Sequence, residues 1–404
     1  MADEFPSGIR KKILAIVGAI PCRNNIYAGI FTINQIIELT KTGKYKIDII
    51  FPRPMFPKLA NWIGPRFGKN IFVLDRPLDP KIEGINIHLL PYLHVPKLGT
   101  LIMILTAYFY ILFKGLEFDI IHAYFLFFPG YLGVKLGNLF KKPVVAMAMG
   151  SDVNLLFDRS VRGEALKPNV IQKIILTLER ADSVVAVSDY LRRRIMGLGI
   201  SEHKMRVIST GISKEKFQLF DMKECLLGGK KKTILYVGNL LVEKGLVQLL
   251  EAIEILRGKR DDFSLAIIGD GPFKRELVEL IEKFRLREFV RLEGAKEHDE
   301  IPHWISKSHV VCLPSYSEGL PNVVLEGIAC GRPVVASNVG GIPEIINDSK
   351  LGTLVPPRDA RKLAEALEDA LDKEWKHEVI AKSGARFYWE NVLPKIEALY
   401  NELM

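Results

Sequence analysis

Two series of short apolar runs divide the chain. In the first, KILAIVG (12–18), KIDIIFP (46–52), FDIIHAY (118–124), KPVVAMAM (142–149) and DSVVAVS (182–188) alternate with longer amphipathic stretches. The pattern restarts with TILYVGN (233–239), FSLAIIGDG (263–271), FVRLEGA (289–295), HVVCLPS (309–315) and RPVVASN (332–338). A strand that is apolar throughout is buried on both faces, and helix-length spacers permit parallel crossovers. Each series therefore predicts a parallel sheet covered on both sides, and the pair predicts two doubly wound α/β domains. Periodicity lapses within 207–233, which places the join there and gives expected domains 1–212 and 213–385, followed by a terminal segment 386–404. The apolar stretch LGTLIMILTAYFYILF (98–113) falls short of the ~20 residues that span a bilayer. It reads first as a buried helix, with a membrane-dipping helix as the competing reading.

Ligands of doubly wound sheets sit beyond the carboxyl ends of the strands, so the residues just after each run carry the chemistry. After HVVCLPS comes SEGLPNVVLEG (317–327). Pro321 suits the first turn of a helix and Gly331 its C-terminal stop, which puts Glu318 in the preceding loop and Glu326 inside the helix. The N–H groups of Leu320, Pro321-flanked Asn322 and Val323 would then point at the crevice, where a helix N-terminus attracts phosphate. A carboxylate can accept from both hydroxyls of a vicinal diol, so two of them flanking an anion site fit a nucleotide-sugar. A solvated loop and a plain helix face remain the bland alternative on this spacing alone. YVGNLLVEKG (236–245) ends another strand with Gly238 and Asn239 and delivers Lys244, which could meet a diphosphate as a point charge. No Asp-x-Asp pair, Walker loop or Gly-x-Gly-x-x-Gly after a strand is present. His298 and His303 share no helical face and read as solvated.

Composition narrows the classes. The chain has 404 residues, 48% of them apolar and 25% charged, which suits full globular cores. Cys22, Cys225, Cys312 and Cys330 form no Cys-x-x-Cys pair, which argues against a zinc site or disulfide framework and suits a reducing cytosol. The first apolar run is short and reads as a strand, not a signal peptide. Residues 1–212 carry a net charge of +12 and residues 213–404 of −3, so the two halves should meet different partners. Residues 51–74 interleave Arg53, Lys58, Arg66 and Lys69 with Phe51, Phe56, Trp62, Phe67 and Phe72 and hold no acidic residue; Arg192, Arg193 and Arg194 form a second cluster. Such mixtures suit an anionic membrane surface. A solvated loop is the plain alternative, and no nucleic-acid motif accompanies them. The expectation is a cytoplasmic, peripheral protein.

The stretch SEGLPNVVLEGIACGRPVVASNVGGIPEII, with Glu318 and Glu326 in Glu-x7-Glu spacing, closely resembles the donor site of retaining GT-B glycosyltransferases of family 4. YVGNLLVEKGLVQLLEAI, FDIIHAYFLFFPGYLGVKLG, AMGSDVN and DSVVAVSDYL fall in the family's order, and IYAGIFTINQIIEL resembles the N-terminal glycine loop of members that build cell-surface polysaccharides. The resemblance covers nearly the whole chain. It implies two facing Rossmann-like domains, an N-terminal one for the acceptor and a C-terminal one for the donor, with the final helix (387–403) crossing back. It implies that Glu326 holds ribose hydroxyls and that Glu318 sits by the donor hexose. Backbone N–H groups from Gly319 to Val323 would line phosphate and sugar, Lys244 would neutralise the leaving diphosphate, and Gly29 would let its loop approach it. Gly150 and Asp152 would complete the donor site, with no metal and no cofactor. The implied reaction moves a hexosyl unit from a UDP- or GDP-linked sugar to a glycan or lipid-linked acceptor, with retention and without a protein nucleophile. Two positions depart from the family pattern: Asn239 stands where an arginine is usual, and Met149 where a histidine is. A nucleotide-sugar 2-epimerase of the same fold is the alternative activity.

Overall fold

The computed structural model describes residues 10–21, 28–55, 85–95, 97–157, 166–219 and 231–404. Cys22, Cys225 and most of the basic, aromatic 51–74 segment lie outside them.

Strands β1 (Lys11–Ile16), β2 (Tyr45–Met55), β3 (Ile85–Leu93), β4 (Ile120–Tyr124), β5 (Val144–Ala148), β6 (Ser183–Ala186) and β7 (Met205–Val207) form one sheet. Its order is β3-β2-β1-β4-β5-β6-β7 and every pairing is parallel. Strands β8 (Lys232–Val237), β9 (Phe263–Ile268), β10 (Val290–Gly294), β11 (Val310–Leu313), β12 (Val334–Ser337) and β13 (Gly352–Val355) form the second, in the order β10-β9-β8-β11-β12-β13, again parallel. This is the GT-B architecture expected from the sequence. The central runs are buried throughout, as in β4, β5 and β9. Each such Val, Ile or Leu contributes roughly 1.5–3 kcal/mol of apolar burial.

Continuous apolar runs do not reveal β3, β7 or β13, and each of these is an edge strand. An edge strand is half-solvated and needs no unbroken apolar run; β3, INIHLLPYL, even holds a proline. β2 also carries Pro52 and Pro54, but its pairing with β1 stops at Ile50, and the prolines pair only with β3.

Strand order reverses between β1 and β4 in the first sheet and between β8 and β11 in the second. These are the positions where crevices open in such sheets. The chain returns to the first sheet at its end. Ile212 bridges to Tyr388, and the helix Trp389–Leu403 buries Trp389, Val392, Leu393, Ile396, Leu399 and Tyr400. Tyr400 hydrogen-bonds through its hydroxyl to His122 Nδ1 on β4 at 2.5 Å and packs edge-on against Tyr45 of β2. Lys11 and Lys44 pin the outer side of that helix through Asn401 (2.6 Å) and Glu397 (2.8 Å). His122 is fully enclosed, and burial pushes its pKa down to about 3.

Candidate active site

The carboxyl ends of β8 and β11 are neighbours because those strands are, and this brings Lys244 to Glu318. Lys244 closes the 3-10 turn Val242–Lys244 after β8; Glu318 lies in the loop after β11. Lys244 Nζ donates to Glu318 Oε1 at 2.7 Å, with the carboxylate side chain only 9% exposed. The two loops are tied by a backbone bond from Tyr316 N–H to Glu243 O, 2.8 Å. Gly238 is held by its N–H on Ile268 O (3.0 Å), and Asn239, an exposed residue, accepts Tyr236 O–H on its carbonyl (3.0 Å).

Gly319, Leu320 and Pro321 lead into the helix Asn322–Ala329, with Pro321 extended at its N-cap and not inside the first turn. The first bond after the cap is Val324 N–H to Pro321 O, 3.1 Å. The N–H groups of Asn322 and Val323 have no acceptor within the helix, as at every helix start. Glu326 is the fifth residue of that helix and is buried.

His298 is the correction the structure makes to the sequence reading. It was expected to be solvated. Instead its side chain is 14% exposed, and Nε2 meets Glu326 Oε1 at 3.0 Å. With a carboxylate as acceptor, Nε2 is the donor. The ring is wedged between Phe217 (5.4 Å) and Phe31 of the first domain (5.6 Å, edge-on). A cavity of about 100 Å³ adjoins this pair, lined also by Phe31, Asn34 and Phe217. The signal was available: His298 follows β10, another strand end of the same sheet. His303 is exposed, as expected.

The first sheet contributes glycines and backbone. Gly29 is the left-handed N-cap of the helix Ile30–Lys41 (φ 69°), and a Cβ there would lie 2.2 Å from Ala19 O, so only glycine fits. Gly150 passes directly against Gly319: a Cβ on Gly150 would sit 2.9 Å from Gly319 Cα, and one on Gly319 2.4 Å from Met149 O. The two halves thus touch backbone to backbone at the crevice. Side chains reinforce the contact. Asn154 Nδ2 donates to Glu318 O and Ser317 Oγ, both at 2.9 Å, and Ser188 Oγ donates to Gly319 O at 3.1 Å. Glu344 of the second half accepts Asp189 N–H (2.9 Å) and Tyr190 N–H (2.7 Å) at the start of the helix Asp189–Met196. Thr210 O–H donates to Asn322 Oδ1 at 2.7 Å. Sequence reasoning singled out none of Asn154, Ser188, Thr210 and Glu344, because their partners lie over a hundred residues away.

Asp152 is buried, and its carboxylate accepts the N–H groups of Leu126 (3.0 Å), Met149 (3.1 Å) and Gly150 (2.9 Å). Burial raises its pKa against the pull of these bonds. Its oxygens are thus engaged in fixing the loop that places Gly150. The Arg192–Arg194 cluster is also engaged: Arg192 pairs with Asp189 (2.6 Å) and Glu202 (2.9 Å), Arg193 donates to Asp189 (2.6 Å), and Arg194 stacks over Phe157 (4.4 Å). Among the described residues no group of three His, Cys, Asp or Glu side chains is placed to hold a metal ion.

Known proteins resemble this chain in sequence and in fold. The family model described as glycosyl transferases group 1 matches residues 218–387, and that of glycosyltransferase family 4 matches residues 28–216. The chain is 28% identical over 385 residues to the teichuronic acid biosynthesis glycosyltransferase TuaC, a putative assignment in Bacillus subtilis, covering 91% of each chain. Sucrose-phosphate synthase from Thermosynechococcus elongatus has the same fold, with a TM-score of 0.77 and 22% identity over 98% of this chain and 99% of that one. HepE of Anabaena in complex with UDP superposes with a TM-score of 0.72 at 17% identity, over 97% of this chain and 100% of that one. With matched models running from residue 28 to 387 and the facing sheets in place, the chain belongs to the glycosyl transferases group 1, of the GT-B fold.

Proposed function

We propose that the protein is a retaining, metal-independent hexosyltransferase that takes its sugar from a UDP- or GDP-linked donor and passes it to a glycan or lipid-linked acceptor in polysaccharide biosynthesis. The observation that carries this reading is the Lys244–Glu318 pair, 2.7 Å long, set beside a helix N-terminus whose fifth residue is the buried Glu326. A diphosphate at that helix start would meet Lys244, whose charge stabilises the leaving group as its own charge grows. Glu318 would accept from a hexose hydroxyl with the oxygen that Lys244 leaves over. Glu326, oriented by His298, would accept from the ribose diol. The Gly150–Gly319 contact would bring the first domain's backbone against the donor sugar, and the acceptor would enter from the first domain's side. No cofactor and no protein nucleophile takes part. The relative TuaC, named for teichuronic acid biosynthesis, and HepE, solved with UDP, support the donor and product classes. Location at the cytoplasmic face of an anionic membrane, without nucleic acid as a partner, belongs to the same reading.

A thermal-shift screen of nucleotide-sugars tests it first, since a ligand that binds only the folded protein raises its Tm. Turnover of the best donor with lipid-linked acceptors then follows, in EDTA, with the anomeric configuration of the product read by NMR. Activity lost to EDTA and restored by Mg²⁺, an inverted product, or conversion of the nucleotide-sugar with no acceptor present would each overturn it. The last outcome would mark an epimerase.

A further inference from the structure

The helix Gly99–Lys114 presents an outward apolar stripe. Leu98, Leu101, Leu105, Phe109, Leu112 and Phe113 are exposed by 54, 53, 44, 61, 53 and 87%. At 3.6 residues per turn these positions fall within an arc of about 120°, and at 1.5 Å per residue they run about 22 Å. The opposite face is fixed in the protein. Met103, Ala107 and Ile111 are buried, Tyr110 O–H bonds His88 Nδ1 (3.1 Å), and His88 Nε2 bonds Asp48 (2.9 Å). Lys173 donates to Thr100 at 2.7 Å. The helix therefore cannot roll to hide the stripe without breaking that network. No helix among the described residues is long and apolar enough to cross a membrane, so the stripe is not the side of a span.

Charge identifies the occupant. Residues 85–116 contain no Asp or Glu. Exposed Lys97 and Lys114 stand at the two ends of the helix, and exposed Lys141 follows the neighbouring helix Tyr131–Phe140, which adds the exposed Leu139. Glu117, the next acid along the chain, pairs with Lys12. An apolar strip with Lys97, Lys114 and Lys141 at its described rim matches a bilayer surface, where rings and leucines enter the acyl boundary and lysines reach up to anionic headgroups.

We infer that this face of the Gly99–Lys114 helix is the surface by which the protein docks on an anionic membrane. The helix begins on the carboxyl-end side of the first sheet, the side on which the crevice opens: its first turn abuts His94 after β3, Lys173 donates to Thr100, and the same Lys173 sits 5.4 Å over Tyr131, which follows the loop after β4. Docking would hold the acceptor side of the crevice against the headgroups. Only that consequence rests on the lipid-linked acceptor proposed above; the docking itself does not.

The test uses the full chain, without donor or acceptor, and vesicles of phosphatidylcholine with or without phosphatidylglycerol. The wild type should co-sediment with the anionic vesicles and less so at high salt. Phe109→Glu with Phe113→Glu should weaken partitioning by at least about tenfold, since each change removes an aromatic ring from lipid. Both positions are exposed, so Tm and UDP binding should be unchanged. Lys97→Glu with Lys114→Glu should weaken binding and flatten its salt dependence. Phe113→Trp should show a blue-shifted emission on anionic vesicles. Absence of binding, equal binding by the double phenylalanine variant, or an unshifted tryptophan would overturn the inference. So would a dimer, seen by sedimentation, that the phenylalanine substitutions dissociate, because the face would then belong to a second copy. Failure of both UDP and GDP to bind the free wild type would count against the donor reading alone.

Discussion

The two sheets are topological near-twins, yet their crevice rims differ in kind. The second sheet ends its strands in ionisable side chains already paired with each other: Lys244 with Glu318, His298 with Glu326. Among the described residues, the first ends β4 and β5 in apolar groups and backbone and β6 in a hydroxyl. After β4 come Phe125, Leu126, Phe127, Phe128 and Pro129, after β5 the Met149–Gly150 peptide, and after β6 the hydroxyl of Ser188. The same geometry of parallel strands therefore offers, among the described residues, one wall lined by paired ionisable side chains and one lined at β4 and β5 by apolar side chains and closely packed backbone. Fold sets where the crevice lies; the side chains at the strand ends set what it holds. The difference extends outward, because the exposed apolar helix belongs to the first half.

The sharpest way to break this asymmetry is to discharge the second wall. Lys244→Ala should lower kcat by roughly 10²–10³, the usual cost of removing one preorganised group that stabilises transition-state charge. The Kd of the donor should move much less, because charge on the leaving diphosphate grows toward the transition state. Steady-state kinetics with donor titration separates the two. A rise in KM with kcat intact would reduce Lys244 to a binding residue.

Glu326→Ala comes next. It removes charge-assisted hydrogen bonds worth about 1.5–3 kcal/mol, so donor affinity should fall roughly 10- to 100-fold. Calorimetry with UDP and with the full nucleotide-sugar should show similar losses if Glu326 addresses the ribose. A loss seen only with the sugar present would move its role toward the hexose.

The first half can be probed by acid. His122 is buried neutral with a pKa of about 3, against 6.5 for the free side chain. A base whose folded pKa is depressed binds fewer protons when folded, so stability is full above about pH 6.5 and falls as pH drops toward 3. By pH 5 the loss should reach about 2 kcal/mol. Tm measured from pH 7.5 to 5 should decline, and His122→Gln should decline less. Because Tyr400 of the terminal helix bonds the same ring, release of that helix should accompany the transition. Equal slopes for both proteins would show that other groups govern the acid response.

Much of this was legible in the sequence, for a physical reason. Central strands of parallel sheets are buried on both faces, so β1, β4, β5, β8, β9 and β11 stand out as apolar runs. Their ends then point to Gly238, Lys244 and Glu318 without any knowledge of side-chain contacts, whereas Gly29 and Gly150 come only from the family resemblance. Edge strands β3, β7 and β13 are half-solvated and leave no such trace. The pairing of Lys244 with Glu318 needs β8 beside β11, and strand order is not written in periodicity. Asp152 could be placed at a strand end, but not the three backbone N–H groups that claim it. The Arg192–Arg194 cluster was readable as paired: Asp189 stands three and four residues earlier, the spacing at which helical neighbours meet.

The smallest expected effect tests where the two walls join. His298 belongs to the second half but is packed edge-on by Phe31 of the first, and its Nε2 donates to Glu326. If the histidine orients Glu326, His298→Ala loses one hydrogen bond of about 0.5–1.5 kcal/mol, a two- to tenfold loss in donor affinity. Turnover at saturating donor should hold, because nothing in this contact changes as the sugar leaves. Packing alone could mimic a small loss, so the deciding variant is His298→Gln. Glutamine can still donate to a carboxylate but cannot fill the space between Phe31 and Phe217 as a ring does. Recovery of affinity by glutamine would identify His298 as a positioning residue for Glu326. No recovery, together with a lowered Tm for both variants, would make the ring a hydrophobic joint between the halves and leave Glu326 to orient itself.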